Sequence, residues 1–295
     1  MRAILIHMFR KAGCKTTMRK IKIAADSSAN MQTMSGTSFA AAPLKIITSD
    51  REFTDDASLD TDEMIGYFAS YKGKSKTSCP SPSDWLEAFG DADDIFCITI
   101  TSHLSGSYNS ACAAKEIYES EHEGSRVFVI DSLSTGPEME LIAEKLRELT
   151  DSGKSYEEIC AEISAYKEKT GLLFMLESLK NLAANGRVSH TVARIAGLLG
   201  IRLVCKASEC GEIEPLHKCR GEARSLETLT ECLKKSGLGR GKVRIAHCKN
   251  PEAAQKLRDM ILAEAPDVDI AVSECGGLCG FYAERGGLLV GFEKF

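Results

Sequence analysis

From Met18 onward, short apolar runs alternate with stretches in which apolar positions recur every three or four residues. The first pattern marks buried strands and the second amphipathic helices. IKIAADSS (21–28) and PLKIITSD (43–50) read as strands, and TDEMIGYFASY (61–71) as a helix. KTSCPSPSDWLEAF (76–89) reads as a hydroxyl-rich loop, then a helix whose start is marked by Pro82 and Ser83. DIFCITITS (94–102) and SRVFVIDS (125–132) are strands, with a helix from Ser105 between them. In 137–150, Met139, Ile142, Leu146 and Leu149 share one helical face.

Past about residue 170 the order changes. Residues 171–189 give a strand, a helix and a Gly-Arg turn; 195–221 give a helix leading into a β-hairpin. Helices are expected at 224–237 and 251–265, and strands at 242–248, 269–276 and 286–295. Gly237 to Gly241 precede a strand and read as a turn. The fold class is therefore α/β, in two domains. Residues 18–168 form a mostly parallel sheet with helices on both faces, and 169–295 a smaller mixed-sheet domain. With no Pro/Gly/Ser-rich linker between them, the domains pack closely and leave a cleft for a ligand.

Composition narrows the class. Charge totals −5, and the basic residues Arg2, Arg10, Lys11 and Lys15 sit in residues 1–17, so the body is more acidic still. That excludes the electrostatic footprint of a nucleic-acid binder. No apolar run of about 18 residues is available to span a bilayer, so no stable membrane insertion is expected. Twelve cysteines fall mostly inside apolar runs, as buried reduced thiols do, which points to the cytoplasm. Residues 1–17 read as a flexible extension, because Arg10 and Lys11 interrupt the apolar run that a signal sequence needs.

Familiar catalytic motifs fail. Gly73-Lys74-Ser75 and Gly153-Lys154-Ser155 end like a phosphate-binding loop, but Phe68 and Glu148 stand where its first glycine belongs. Cys275 and Cys279 lack a second pair at metal-binding spacing, so neither a metal nor another cofactor is expected. His103, His190, His217 and His247 are scattered, and only His103 lies near the strand-end hydroxyls. Two segments stand out: Lys76-Thr77-Ser78-Cys79-Pro80-Ser81-Pro82 and Thr101-Ser102-His103-Leu104-Ser105-Gly106-Ser107-Tyr108. Each joins an extended segment to a helix start, where free N–H groups attract an anion and hydroxyls add donors. Simple helix capping explains either alone. Together on one sheet edge they suggest a cup for a carboxylate or phosphate.

These segments, with Asp26-Ser27-Ser28, Val129-Ile130-Asp131-Ser132, Asn185-Gly186-Arg187-Val188-Ser189, Arg220-Gly221 and Ile245-Ala246-His247, occur in an order that resembles the DegV family from Met18 to Phe295. The resemblance implies a non-enzymatic protein holding a long-chain fatty acid in a tunnel between two α/β domains. It further implies the lipid-presenting subunit of a bacterial fatty-acid kinase, whose separate ATP-dependent subunit phosphorylates the carboxylate. Thr77 and Ser105 would grip that carboxylate, Ser78 and Gly106 shape the cup, and Tyr282 close it. Arg187 and Arg220 would meet the partner or the new phosphate. One segment departs from the family's Gly-x-His-x-Gly-Pro-Gly: Tyr282 stands at the histidine, with Glu284 and Arg285 at Gly-Pro. A phenol donates one hydrogen bond but carries no positive charge.

Two other readings remain open at this level. The strand ends carrying Asp26 and Asp131 would suit an enzyme handling a phosphoester or phosphate. A sensor that binds lipid as a signal would share the same cleft.

Overall fold

The computed structural model describes residues 19–189, 191–192 and 200–295. The expectations for residues 1–17, for His190 and for a helix just before residue 200 fall outside them.

In the first half, β1 (Ile21–Asp26), β2 (Phe39–Ala42), β6 (Asp94–Thr99) and β7 (Arg126–Asp131) form a parallel sheet of order β2-β1-β6-β7. Side chains alternate between faces along a strand. Ala24, Ile95 and Cys97 accordingly pack under α2 (Pro82–Phe89) and α3 (Ser107–Glu121), through Trp85, Phe89, Ala111 and Tyr118. Ile23, Phe96 and Ile98 meet α4 (Pro137–Asp151) and α5 (Tyr156–Lys167), through Met139, Ile142, Leu146 and Ile159. Both faces are thus covered, as a parallel sheet requires.

A separate antiparallel sheet joins β3 (Lys45–Ile47), β4 (Glu52–Thr54) and β5 (Lys76–Ser78) in the order β4-β3-β5, beside α1 (Thr61–Ser70). This differs from the sequence pattern, which gives one long strand at 43–50 and a loop at 76–78. Strands of three residues carry too few alternating positions to register as periodicity.

The second half runs β8 (Thr170–Leu176), α6 (Lys180–Ala184), β9 (Ile201–Ala207), β10 (Ile213–Arg220), α7 (Glu222–Lys235), β11 (Leu238–His247), α8 (Pro251–Glu264), β12 (Asp269–Glu274), α9 (Gly277–Ala283) and β13 (Leu288–Lys294). Its mixed sheet has the order β10-β9-β8-β13-β11-β12, in which only β11 and β12 pair in parallel. It is shorter in chain but larger in sheet than the first half. Residues 238–241 are not a turn, as their glycines suggest, but the irregular start of β11. Gly239 leaves room for Phe295, whose Cβ would lie 2.8 Å from an added methyl.

One face of this sheet (Leu173, Met175, Val204, Ile245, Val290) packs under α7 and α8. The other (Leu172, Phe174, Leu176, Leu289) faces the first half. The halves touch directly where α4 lies on β13 and β11. Gly291 allows this approach, since a Cβ there would stand 2.5 Å from the Glu138 backbone nitrogen. Beside it, Arg244 Nε and Nη2 reach the two Glu144 oxygens at 2.7 and 2.8 Å, and Lys242 Nζ joins them at 3.0 Å.

Candidate functional site

Away from that direct contact the halves separate around a cavity of about 370 Å³. Leu172, Phe174 and Leu176 of β8 and Leu289 of β13 form one wall. Leu44, Ile100 and Leu104 come from the first half, and Leu278, Cys279, Tyr282 and Ala283 from α9. Such a lining excludes water and favours hydrocarbon.

The polar lining gathers the residues singled out from sequence. Thr77, Ser78, Ser105, Gly106, Arg187 and Tyr282 all face this cavity. Thr77 Oγ1 and the Tyr282 hydroxyl lie 2.7 Å apart, a bond that joins one half to the other. The Ser105 hydroxyl accepts the Ser107 N–H at 3.3 Å at the start of α3. A Cβ on Gly106 would meet Cys79 Sγ at 3.3 Å, so the two hydroxyl-rich segments lie side by side. Arg187 Nε donates to the Leu104 carbonyl at 3.1 Å, and its Nη1 to the Asn185 carbonyl. Burial raises the Tyr282 phenol above its ordinary value, against the lowering effects of the Thr77 bond and Arg187. Tyr282 is therefore a neutral donor at physiological pH.

Asp26 positions these loops. Its carboxylate is fully buried and accepts from Ile100 N (2.8 Å), Ser107 Oγ (2.6 Å), Ser28 N (3.2 Å) and Ser28 Oγ (2.5 Å). That set ties the ends of β1 and β6 to the start of α3. Ser110 Oγ, donating to the Pro80 carbonyl at 2.6 Å, fastens the other loop to the same helix. Asp131 accepts the N–H groups of Ser102 and Leu133, each at 3.1 Å. Burial raises the Asp26 carboxyl above the ordinary range, with the hydrogen bonds opposing it. A carboxylate so occupied, and outside the cavity lining, is not poised to handle a substrate.

Other candidates are not brought to the cavity. His103 is exposed and lies outside the lining, as do Arg285 and Arg220, which is exposed at the end of β10. Glu284 also lies outside the lining, and one of its oxygens accepts the Asn181 N–H at 3.0 Å. Cys279 lines the cavity, its thiol donates to the Ser28 carbonyl at 3.4 Å, and burial pushes it up to about 12. Among the described residues no group of side chains is arranged to hold a metal ion, and no helix is long and apolar enough to cross a membrane.

Sequence reasoning missed α9 as an element. Gly277-Leu278-Cys279-Gly280-Phe281-Tyr282-Ala283 carries two glycines, each costing about 1 kcal/mol in a helix interior. Seven residues are also too few to sustain a helix alone. The signal for it lies elsewhere in the chain, in the buried carboxylate of Asp55. Asp55 accepts the Gly277 and Leu278 N–H groups at 2.8 and 2.9 Å.

Residues 20–294 match the family model described as "Uncharacterised protein, DegV family". The chain belongs to the DegV family. A DegV domain-containing protein of Streptococcus pneumoniae is 45% identical over 276 residues, 92% of this chain and 98% of that protein. Two solved structures superpose with a TM-score of 0.92 each. One is a DegV family protein from Eubacterium eligens loaded with heptadecanoic acid, 45% identical, with 93% of this chain and 100% of that one covered. The other is the Streptococcus pneumoniae fatty acid kinase B3 protein loaded with linoleic acid, 44% identical, with 94% and 100% covered. The paired α/β halves read from the sequence are thus the DegV architecture.

Proposed function

We propose that this chain binds a long-chain fatty acid between its two halves and presents the carboxylate to a separate ATP-dependent kinase subunit. It works in the cytoplasm, as a carrier and not as an enzyme. The observation that carries the reading is an apolar cavity whose polar lining is a set of hydroxyls with one arginine, Arg187, and one acid, Glu212. Relatives loaded with heptadecanoic and linoleic acids support the ligand class. Each buried methylene contributes about 0.8 kcal/mol, so a sixteen-carbon chain supplies ample affinity. The carboxylate must not be buried unpaired, which would cost several kcal/mol. Thr77 and Ser105 donate to it, Ser78 and Gly106 shape the cup, and Tyr282 closes it. Arg187 lies against the same lining and meets the head group or the phosphate added to it, and Arg220 offers an exposed cation to the partner. The division into domains falls at residues 168–169, between the end of α5 and the start of β8. Asp26 as a phosphoester-handling acid is the weaker reading, since all its contacts are internal.

Mass spectrometry of the organic extract from gently purified protein tests this. A co-purified fatty acid is expected. Protein that carries no lipid and fails to take up palmitate would overturn the reading.

A further inference from the structure

We infer that Asp55 is a positioning residue: through α9 it sets the place of Tyr282 at the cavity. This rests on the fatty-acid reading for its consequence, but not for its geometry.

Asp55 belongs to the first half and is 2% exposed. Its own backbone is fixed beside the cavity, because its N–H donates to the carbonyl of Leu44, a lining residue, at 2.8 Å. Its two carboxylate oxygens take one N–H each from Gly277 and Leu278, at 2.8 and 2.9 Å. These are orphan donors of the first turn of α9, which no backbone carbonyl can satisfy. Asn30 takes a third, the Gly276 N–H, at 2.5 Å, and returns its own amide to the Glu274 carbonyl at 3.0 Å. Position 277 must be glycine for this to occur, since a Cβ would stand 2.6 Å from Asp55 Oδ1 and 2.5 Å from Leu59.

The element held this way is the second half's densest contribution to the cavity: Leu278, Cys279, Tyr282 and Ala283. It has little helical preference of its own. Besides Asn30 on the Gly276 N–H and the Cys279 thiol on the Ser28 carbonyl, two fixings hold it across the gap between halves: Asp55 at its start and the Tyr282–Thr77 bond near its end. Without the first, the second loses its aim, and the phenol no longer meets Thr77 or a ligand oxygen.

The test is a set of double-mutant cycles on the full chain. Palmitate affinity of delipidated protein is measured for Asp55→Ala, Tyr282→Phe and the pair. Asp55→Ala is expected to weaken binding about tenfold, and Tyr282→Phe added to it to change binding by less than about twofold. Asp55→Asn, which keeps one acceptor oxygen, should recover part of the loss. Independent multiplicative losses, or unchanged affinity in folded Asp55→Ala, would overturn the assignment. Should Asp55→Ala fail to fold, the Asp55→Asn series is read by the same rule. A second cycle needs no ligand: Thr77→Val against Tyr282→Phe in urea unfolding. Their coupling, about fivefold in the unfolding constant, should vanish in the Asp55 variant. Its persistence there sinks the positioning role even if palmitate proves to be the wrong ligand.

Discussion

The two halves meet along two seams of opposite character. Where α4 lies on β13 and β11, backbone approaches backbone at Gly291, and the polar groups are charges paired with charges. Where α9 reaches the first half, a void is left; the Asp55 carboxylate is taken up by backbone N–H groups of α9, and the contact across the void is a pair of neutral hydroxyls, Thr77 and Tyr282. The first seam is filled and electrostatically committed, so it suits a fixed joint. The second holds its polarity in reserve. Thr77 and Tyr282 can each turn a proton toward an arriving oxygen with no buried charge left behind. A binding protein needs both: a joint that holds two walls together, and walls that do not touch.

Substitutions separate the two. Gly291→Val should be the most damaging, because its Cβ meets the backbone of Pro137 and Glu138. A loss of about 3 kcal/mol or outright misfolding is expected in urea titration, and near-normal stability would show the joint to be pliable. Next is pH. Burial, then the neighbouring Glu144 charge, raises the Glu140 carboxyl from 4.5 to about 7, with Arg244 opposing. Folding therefore favours protonated Glu140. Its contribution, at most about 3 kcal/mol, is full below pH 4.5 and lost as pH rises through about 7. Glu140→Gln should flatten that part of the stability profile, and an unchanged slope would remove Glu140 from the account.

At the cavity seam the effects fall on binding. Thr77→Ala with Ser105→Ala should lower palmitate affinity by about 2 kcal/mol, roughly thirty-fold, and stability by about 1 kcal/mol through loss of the Thr77–Tyr282 bond. Calorimetric affinity equal to wild type would refute the assigned grip. Smallest is Phe174→Trp, which grows into the void. It should cost under about 1.5 kcal/mol of stability yet reduce affinity about tenfold. A stable variant with unaltered binding would show that the acyl chain lies elsewhere.

The same contrast explains what the sequence made legible. The parallel sheet was readable because its strands are buried on both faces, so runs such as Ile95 to Ile98 carry no interruption. Thr77 and Ser105 were readable because hydroxyl-rich segments at strand ends are a local signal. The small sheet and α9 were not. Lys45–Ile47, Glu52–Thr54 and Lys76–Ser78 are three residues each, too short to show an alternation, and α9 is glycine-rich. Asp55 looks like one acid in a polar turn, and its partners lie more than 220 residues away. No local pattern reports a contact of that span. Arg187 and Arg220 look alike in sequence, both beside a glycine, yet only Arg187 faces the cavity.

The order of the second sheet has a consequence for biosynthesis. β13 is the last of its six strands in the chain, yet it sits in the middle, between β8 and β11. On the ribosome, β8 to β10 and β11 to β12 emerge as two unjoined pieces with bare edges, while the parallel sheet ahead of them is already free to form. Only when the final strand clears the exit channel does one continuous sheet exist to face its neighbour. The lipid's berth is therefore completed only once β13 has emerged, and a product lacking β13 would expose strand edges prone to aggregation.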